Sequence, residues 1–350
     1  MEPEDRNSAG PGIVPATTKG PLTVLFHSHS LTVRGTEVAL FDYGDFNETL
    51  LGNRSVMVFP RQGIESQAAW QKFETRFQTH FYDTPDELAA IAERCGADLC
   101  YFIKKGLNDG VLVPGRRNAI HMVFQHCDPH GEAYAYVSEW LSKTTGKGAY
   151  PFVPHIIRHP VDTATDMRAE LGIPETADVY GVIGGVDSFK ILSATNAVLD
   201  AIEKTPGKVF VFVNTRMPEW FPWTKRRIRK ALESGRLKYL DQITDFDAKE
   251  RFINTCDAML HARRRGETFG IALGEFDVRG KPLLVHHGRK TRDQGHYDIL
   301  GDTPNYYRSR AELNRLLAAD PRSLKVSGRY RRFFPETVMP LFEDVFLKDC

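Results

Sequence analysis

Short runs of β-branched and aromatic residues recur along the chain, separated by segments whose apolar positions repeat with helical period. LTVLF (22–26) precedes a helix expected from about residue 36, and SVMVF (55–59) precedes one from about 65. LCYFI (99–103) and IHMVF (120–124) continue the series, followed by a helix-like stretch carrying Tyr134, Val137 and Trp140. A second series then begins with VYGVI (179–183), VFVFV (209–213), AMLH (258–261) and PLLVH (282–286), again with helical stretches between. Strands alternating with helices predict parallel sheets with crossover helices. The chain is therefore expected to form two doubly wound α/β domains. Helical spacing returns over 311–319 and 335–347, the last with Val338, Leu341, Phe342 and Val345 on one face.

Between the two series Pro151, Pro154, Pro160 and Pro174 punctuate one short helix that Asp162 is placed to cap, which marks a linker over 156–176. The expected plan is a flexible tail over 1–20, a Rossmann-like domain over 21–155, the linker, and a second Rossmann-like domain over 177–332. Length agrees: 350 residues correspond to two domains at about 150 each.

Hydrophobic residues make up 41% and charged residues 26%, the balance of a soluble globular chain. The net charge of +1 provides no overall field for a nucleic acid or an anionic membrane, so recognition of a polyanion has to be local. No nucleic-acid partner is expected. The longest apolar runs are strand-sized, far short of the roughly 20 residues that span a bilayer. The first residues are acidic where a signal peptide is basic, and no apolar run follows them. Cys95, Cys100, Cys127, Cys256 and Cys350 form no CxxC pair and are odd in number, which fits a reducing cytoplasm better than a disulfide framework. His27 with His29, and His286 with His287, lack a third ligand at metal spacing. Asp245 and Asp247 make the one Asp-x-Asp, which reads as a helix cap before FDAKERFI. No metal is expected.

The most informative stretch is DAMLHARRRGETFGIALGEF, residues 257–276. A strand ends at His261, a basic loop follows, and Gly266 and Gly270 flank Glu267 before a helix that carries Glu275. Free backbone N–H groups and the positive dipole end of a helix starting near Gly270 favour a phosphate. The two carboxylates, one in the loop and one in the helix, can each accept hydrogen bonds from vicinal hydroxyls with phosphates between them. By themselves the same residues also fit a plain strand-to-helix turn with a solvated glutamate.

This stretch resembles the Glu-x7-Glu signature of retaining glycosyltransferases of the GT-B fold, best matched by glycosyltransferase family 4 and its group 1 transferase domain. The resemblance implies that Glu267 contacts the donor sugar, that Thr268, Phe269, Gly270 and Ile271 meet the diphosphate, and that Glu275 holds the ribose. It implies two facing Rossmann-like domains, the first on the acceptor side, with the C-terminal segment 333–350 crossing back to complete it. Gly35, Thr36 and Glu37, in HSHSLTVRGTEVAL after the first strand, are similar to the family's Gly-Gly-x-Glu element beside the donor phosphates; an ordinary helix start fits them too. In the run IHMVFQHCDPHGEA, His126 first and His130 second match a family histidine that meets the donor sugar, although a histidine past a strand tip commonly bonds its own loop. The family places an arginine just after the first strand of the second domain and a lysine a few residues on. Here Val182 stands where the arginine is expected, so the backbone of Gly184 and Gly185, with Lys190 or Arg263, is expected to meet the diphosphate.

The resulting expectation is a metal-independent retaining hexosyltransferase without cofactor, using a UDP- or GDP-sugar as donor and an unknown glycan, lipid or small-molecule acceptor. The residues 238–242 are expected to choose the base. A nucleotide-sugar epimerase of the same architecture and a non-catalytic sugar-nucleotide-binding relative are the alternatives; a dinucleotide oxidoreductase is disfavoured because Gly181, Gly184 and Gly185 do not make GxGxxG. TKRRIRK (224–230), ARRR (262–265) and GRYRR (328–332) are basic, and Trp220, Phe221 and Trp223 immediately precede the first. Charged helix faces are commonly just solvated, but this stretch also suits a peripheral membrane contact.

Overall fold

The computed structural model describes residues 20–161 and 163–350; the tail over 1–19 and Asp162, the expected linker cap, lie outside the described residues. The first half runs β1 (Thr23–Ser28), α1 (Gly35–Thr49), β2 (Arg54–Pro60), α2 (Gln67–Arg76), β3 (Gln78–Tyr82), α3 (Glu87–Cys95), β4 (Leu99–Lys104), β5 (Arg117–Met122), β6 (Ala133–Tyr136) and α4 (Glu139–Thr144). Its six strands pair in the order β3-β2-β1-β4-β5-β6, and every pairing is parallel. The order reverses between β1 and β4, so their carboxyl ends open a crevice. Because helices cover both faces, the central strands are apolar throughout: Val56 to Phe59 and Leu99 to Ile103 are buried without alternation.

Two elements differ from the sequence reading. The stretch around Tyr134 is the edge strand β6, in register with β5 from Ala119↔Ala133 to Met122↔Tyr136, and the helix begins only after Ser138, whose side chain accepts the Leu141 N–H. All four residues of β6 are buried, so the strand carries no period-two signal. In the linker, 167–173 forms a single turn closed by Leu171 N–H to Met167 C=O and Ile173 N–H to Arg168 C=O, with Gly172 left-handed at φ 59°. Arg168 fixes this turn to the second domain, donating to the carbonyls of Pro174, Glu175 and Ala177 and to Asp257.

The second half runs β7 (Asp178–Ile183), α5 (Leu192–Lys204), β8 (Lys208–Val213), α6 (Pro222–Glu233), β9 (Leu237–Leu240), α7 (Phe246–Thr255), β10 (Ala258–His261), β11 (Gly266–Glu267), α8 (Ile271–Asp277), β12 (Leu283–His286), β13 (Asp293–Gln294), α9 (Gly295–Leu300), β14 (Asn305–Tyr307) and α10 (Arg310–Ala318). A second all-parallel sheet has the order β14-β12-β10-β7-β8-β9, and β11 pairs with β13 apart from it. Asp245 caps α7, accepting the Ala248 N–H at 2.7 Å, as the reading of its Asp-x-Asp predicts. Among the described residues no helix is long and apolar enough to cross a membrane.

The chain then returns. α11 (Pro335–Phe342), prolonged by a π-helical turn over Glu343–Leu347, packs on the first domain: Phe342 lies 5.1 Å from Tyr43 and 5.2 Å from Tyr101, and Phe346 lies 5.2 Å from His121. The lobes also meet through Arg158, which donates to Asp42 and Asp45 of α1 and lies 4.3 Å over the Phe246 ring of α7.

Phe342 is fully buried in this aromatic stack. Phe342→Ala is therefore expected to cost about 3–5 kcal/mol in urea denaturation; a change near zero would mean that the returning helix is not part of the first domain's core.

Candidate functional site

The carboxyl ends of both sheets border one cleft of about 350 Å³. The first domain contributes the start of α1 (Gly35 and Thr36), together with Val123 and Phe124 just beyond β5. The second contributes Gly184 and Gly185 after β7, Asn214 after β8, and much of 259–275. Gly35 and Ile271 face each other across the gap, a Cβ on Gly35 falling 3.6 Å from Ile271 Cδ1.

Glu267 sits at the centre of the second domain's wall. Gly266 and Gly270, which flank the turn, have φ of 79° and 92°, and a Cβ on Gly266 would lie 2.0 Å from the Asp293 carbonyl oxygen. The turn thus requires glycine at both ends. The Glu267 carboxylate accepts from Arg263 Nη1 at 2.6 Å and stands 3.4 Å from His261 Nε2, with 20% of its side chain exposed. Burial alone would raise this carboxyl, but the His261 hydrogen bond and the Arg263 charge outweigh it and hold it down at about 2. Glu267 is both ion-paired and at the interlobe cleft. Its peptide group faces Nδ1 of buried His296 at 3.2 Å, an imidazole that burial depresses to about 3 and keeps neutral.

Gly270 is the N-cap of α8, and Glu275 follows within that helix, ion-paired to Lys249 of α7. Phe269 turns its ring into the protein, 4.9 Å from Phe333 and 5.4 Å from His155, while its carbonyl accepts from the Tyr330 hydroxyl at 2.6 Å. Asp277, fully buried, accepts the backbone N–H groups of Gly328 and Tyr330, each at 2.8 Å, and burial raises its carboxyl. In the first domain Glu37 points inward rather than into the cleft. It is 3% exposed and accepts from Ser28, Ser30 and Thr32 hydroxyls, which shapes the loop ahead of α1.

The fold brings Gly35, Thr36, Gly184, Gly185, Arg263, Glu267, Thr268, Phe269, Gly270, Ile271 and Glu275 to one cleft. His126 and Lys190 do not line it. His126 packs beside Gly106 and gives its carbonyl to the Tyr136 hydroxyl at 3.1 Å; Lys190 is exposed. His130 is likewise occupied, with its ring nitrogens 2.6 Å from the Asp128 carbonyl and 3.3 Å from Lys104 Nζ. Val182 lies inside β7, 2% exposed, so the first residues past the strand are Gly184 and Gly185 themselves. Ile243, one residue beyond the 238–242 segment expected to choose the base, lines the cleft.

Sequence reasoning missed Lys249, Asn214 and Gln125. Lys249 carries no signal of its own, being one cation on an amphipathic helix. Asn214 adopts φ 55°, a left-handed conformation rare outside glycine that sequence does not announce. Gln125, just past β5, donates to Arg292 C=O and Asp293 Oδ1 of the other domain at 2.7 and 2.8 Å and bridges the lobes. Among the described residues no three His, Cys, Asp or Glu side chains stand together as metal ligands.

No family model matches the chain, and no curated protein matches it in sequence. Solved structures do resemble it. HepE of Anabaena, in complex with UDP and glucose, superposes with a TM-score of 0.68 at 15% identity, covering 94% of this chain and 100% of that one. A glycosyltransferase from Rickettsia africae gives 0.65 at 10%, covering 93% and 99%. The sucrose-phosphate synthase of Thermosynechococcus elongatus gives 0.62 at 13%, again covering 93% and 99%. At such identities the likeness establishes architecture, and the architecture is GT-B: two Rossmann-like domains facing one cleft.

The depressed Glu267 carboxyl has a consequence for stability. An ordinary glutamate titrates near 4.5 and this one at about 2, so its ion pair contributes fully above pH 4.5 and is lost as pH falls from there toward 2. Glu267→Gln is expected to lower the unfolding free energy at neutral pH by about 3 kcal/mol, with the deficit shrinking through that acid window. Urea denaturation of both proteins across that range checks it, and a deficit independent of pH would rule out the ion pair.

Proposed function

We propose that this protein is a retaining, metal-independent glycosyltransferase that moves a hexosyl group from a UDP- or GDP-sugar to an acceptor hydroxyl. The observation that carries the reading is the pair Glu267 and Glu275, each held by a cation, on either side of the Gly270 turn and within one interlobe cleft. The likeness to HepE of Anabaena supplies support from outside the chain: that protein was crystallised with UDP, with UDP and glucose, and with UDP-glucose.

In this reading Glu275 accepts hydrogen bonds from the ribose hydroxyls and Glu267 from hydroxyls of the transferred sugar. The diphosphate lies between them, against the backbone of Gly184, Gly185 and the 268–271 turn, with Gly35 and Thr36 opposite. Arg263 adds charge at the same place, and its buried Nε has no partner among the described residues. Lys249 lies beside Glu275 and faces the same cleft.

The reaction breaks the bond between the anomeric carbon and the phosphate oxygen while the acceptor oxygen approaches on the same face. The departing phosphate oxygen takes the acceptor proton, and a glycoside and a nucleoside diphosphate leave. The protein's part is to position donor and acceptor and to stabilise the growing negative charge on the diphosphate. Glu267 remains anionic at neutral pH, so it suits hydroxyl recognition and stabilisation of positive charge at the anomeric carbon, and it cannot serve as an acid. A reducing compartment is part of the proposal, since Cys95, Cys100 and Cys256 are buried thiols outside any disulfide.

Thermal unfolding with a panel of nucleoside diphosphates tests the donor site. UDP or GDP at about 100 times its Kd should add about 2.7 kcal/mol of stability, and Glu275→Ala should remove about 1.5–3 kcal/mol of binding. Glu267→Ala should keep nucleotide binding and lower sugar-nucleotide turnover on the order of 100-fold, with turnover insensitive to chelators. Stabilisation by no nucleotide, or full turnover in Glu267→Ala, defeats the reading; conversion of the donor sugar without an acceptor would point to an epimerase instead.

A further inference from the structure

Every exposed Trp or Phe side chain among the described residues lies in one stretch, at the start of α6. Trp220, Phe221 and Trp223 are 42%, 38% and 61% exposed, and the rings of Phe221 and Trp223 stack with centroids 4.5 Å apart and planes 4° from parallel. Other exposed large apolar side chains, such as Leu107, Val186 and Val326, are aliphatic and scattered. The helix that follows is one-sided. Thr224, Ile228 and Ala231 face the core, and Lys225, Arg226, Arg229 and Lys230 face solvent.

A large part of each ring remains in water, which forgoes some of the burial that normally places such side chains inside. The flanking charges are weakly committed as well: Lys225 approaches Glu219 at 3.6 Å and Arg229 approaches Glu233 at 3.7 Å, both as exposed pairs worth little. Arg226 and Lys230 make no ion pair among the described residues. By contrast Arg227, on the inner flank, is fully used by Asp200 and Glu203.

We propose that this face of α6 docks on an anionic lipid bilayer, with Trp220, Phe221 and Trp223 inserted at the headgroup level and Lys225, Arg226, Arg229 and Lys230 against the lipid phosphates. Aromatic side chains at one end of a helix whose outer face is cationic are what an interfacial helix requires. The net charge of +1 means that this attraction comes from the local patch alone. A polyanion such as nucleic acid would use the cations and leave the stacked rings unexplained. The β8–α6 connection also carries Asn214 to the cleft, so docking would bring the cleft rim close to the bilayer. The proposal does not rest on glycosyl transfer and can fail or succeed without it.

Co-sedimentation of the full chain with vesicles of phosphatidylcholine, with and without phosphatidylglycerol, tests it. Binding is expected only with the anionic lipid, is expected to fall as salt rises, and should be accompanied by a blue shift of tryptophan emission. Lys225→Glu with Arg226→Glu should weaken binding by at least 25-fold, about fivefold for each cation removed. Trp220→Ser with Trp223→Ser should weaken binding and abolish the blue shift, and both variants should keep the wild-type melting temperature because the changed side chains are exposed. No binding to anionic vesicles, equal binding to neutral ones, or undiminished binding in both variants overturns the proposal.

Discussion

The arrangement of the cleft depends on how the 266–270 turn is pinned from behind. Tyr330, fully buried, donates its hydroxyl to the Phe269 carbonyl, and its own N–H is held by Asp277 at the end of α8. A buried carboxylate that accepts two backbone N–H groups fixes the segment 328–330 against the helix that the turn begins. The turn cannot shift without breaking this set of bonds. Its two left-handed glycines then aim the Glu267 peptide and side chain at the gap between the lobes.

The same place is where the chain crosses between domains, twice. Ile157, on the way out, donates its N–H to Phe333, on the way back, at 2.9 Å. Both crossings rest on α8 at Gly274, where a Cβ would lie 2.5 Å from Ile157 Cδ1 and 2.7 Å from Tyr330 Cδ1. Interlobe geometry and site geometry therefore share one set of contacts. Around the gap, Gln125 on Asp293 and Lys72 over Phe246 at 3.8 Å tie the lobes at other points. Among the described residues no carboxylate pairs directly with Lys72, and burial lowers its amine to about 8. Charge in the cleft is arranged as carboxylate–cation pairs, Glu267 with Arg263 and Glu275 with Lys249, so each carboxylate is compensated in a partly dry place.

The strands β1, β2, β4, β7, β8, β10 and β12 were legible because each is a short apolar run between turn signals, and their parallel arrangement follows from the helices between them. β3, with the sequence QTHFY, and β6, with AYAY, were not, since edge strands this short carry neither a sustained run nor a clean alternation. The linker helix is shorter than its pattern predicts, because left-handed Gly172 and the proline at 174 end it after a single turn. Of the site, the pair Glu267 and Glu275 with its glycines was visible because those residues are contiguous. Lys249 was invisible because it reaches the cleft from an element remote in sequence, and Gln125 because its bridge to Arg292 and Asp293 is made only across the lobes.

Sequence alone determined two parallel sheets with crossover helices, the turn at 266–270, and the capping role of Asp245, since each follows from local periodicity or from residue types that the backbone requires. Which groups share the cleft was decided only by tertiary structure. His126 and Lys190 stand near the right strands in sequence yet do not line the cleft, because a loop's course depends on what packs against it, here Gly106 and Tyr136 for His126. The ionisation of Glu267 is likewise a tertiary property: the carboxyl is the same in any glutamate, and its depression comes from Arg263 and His261, which the fold places within reach.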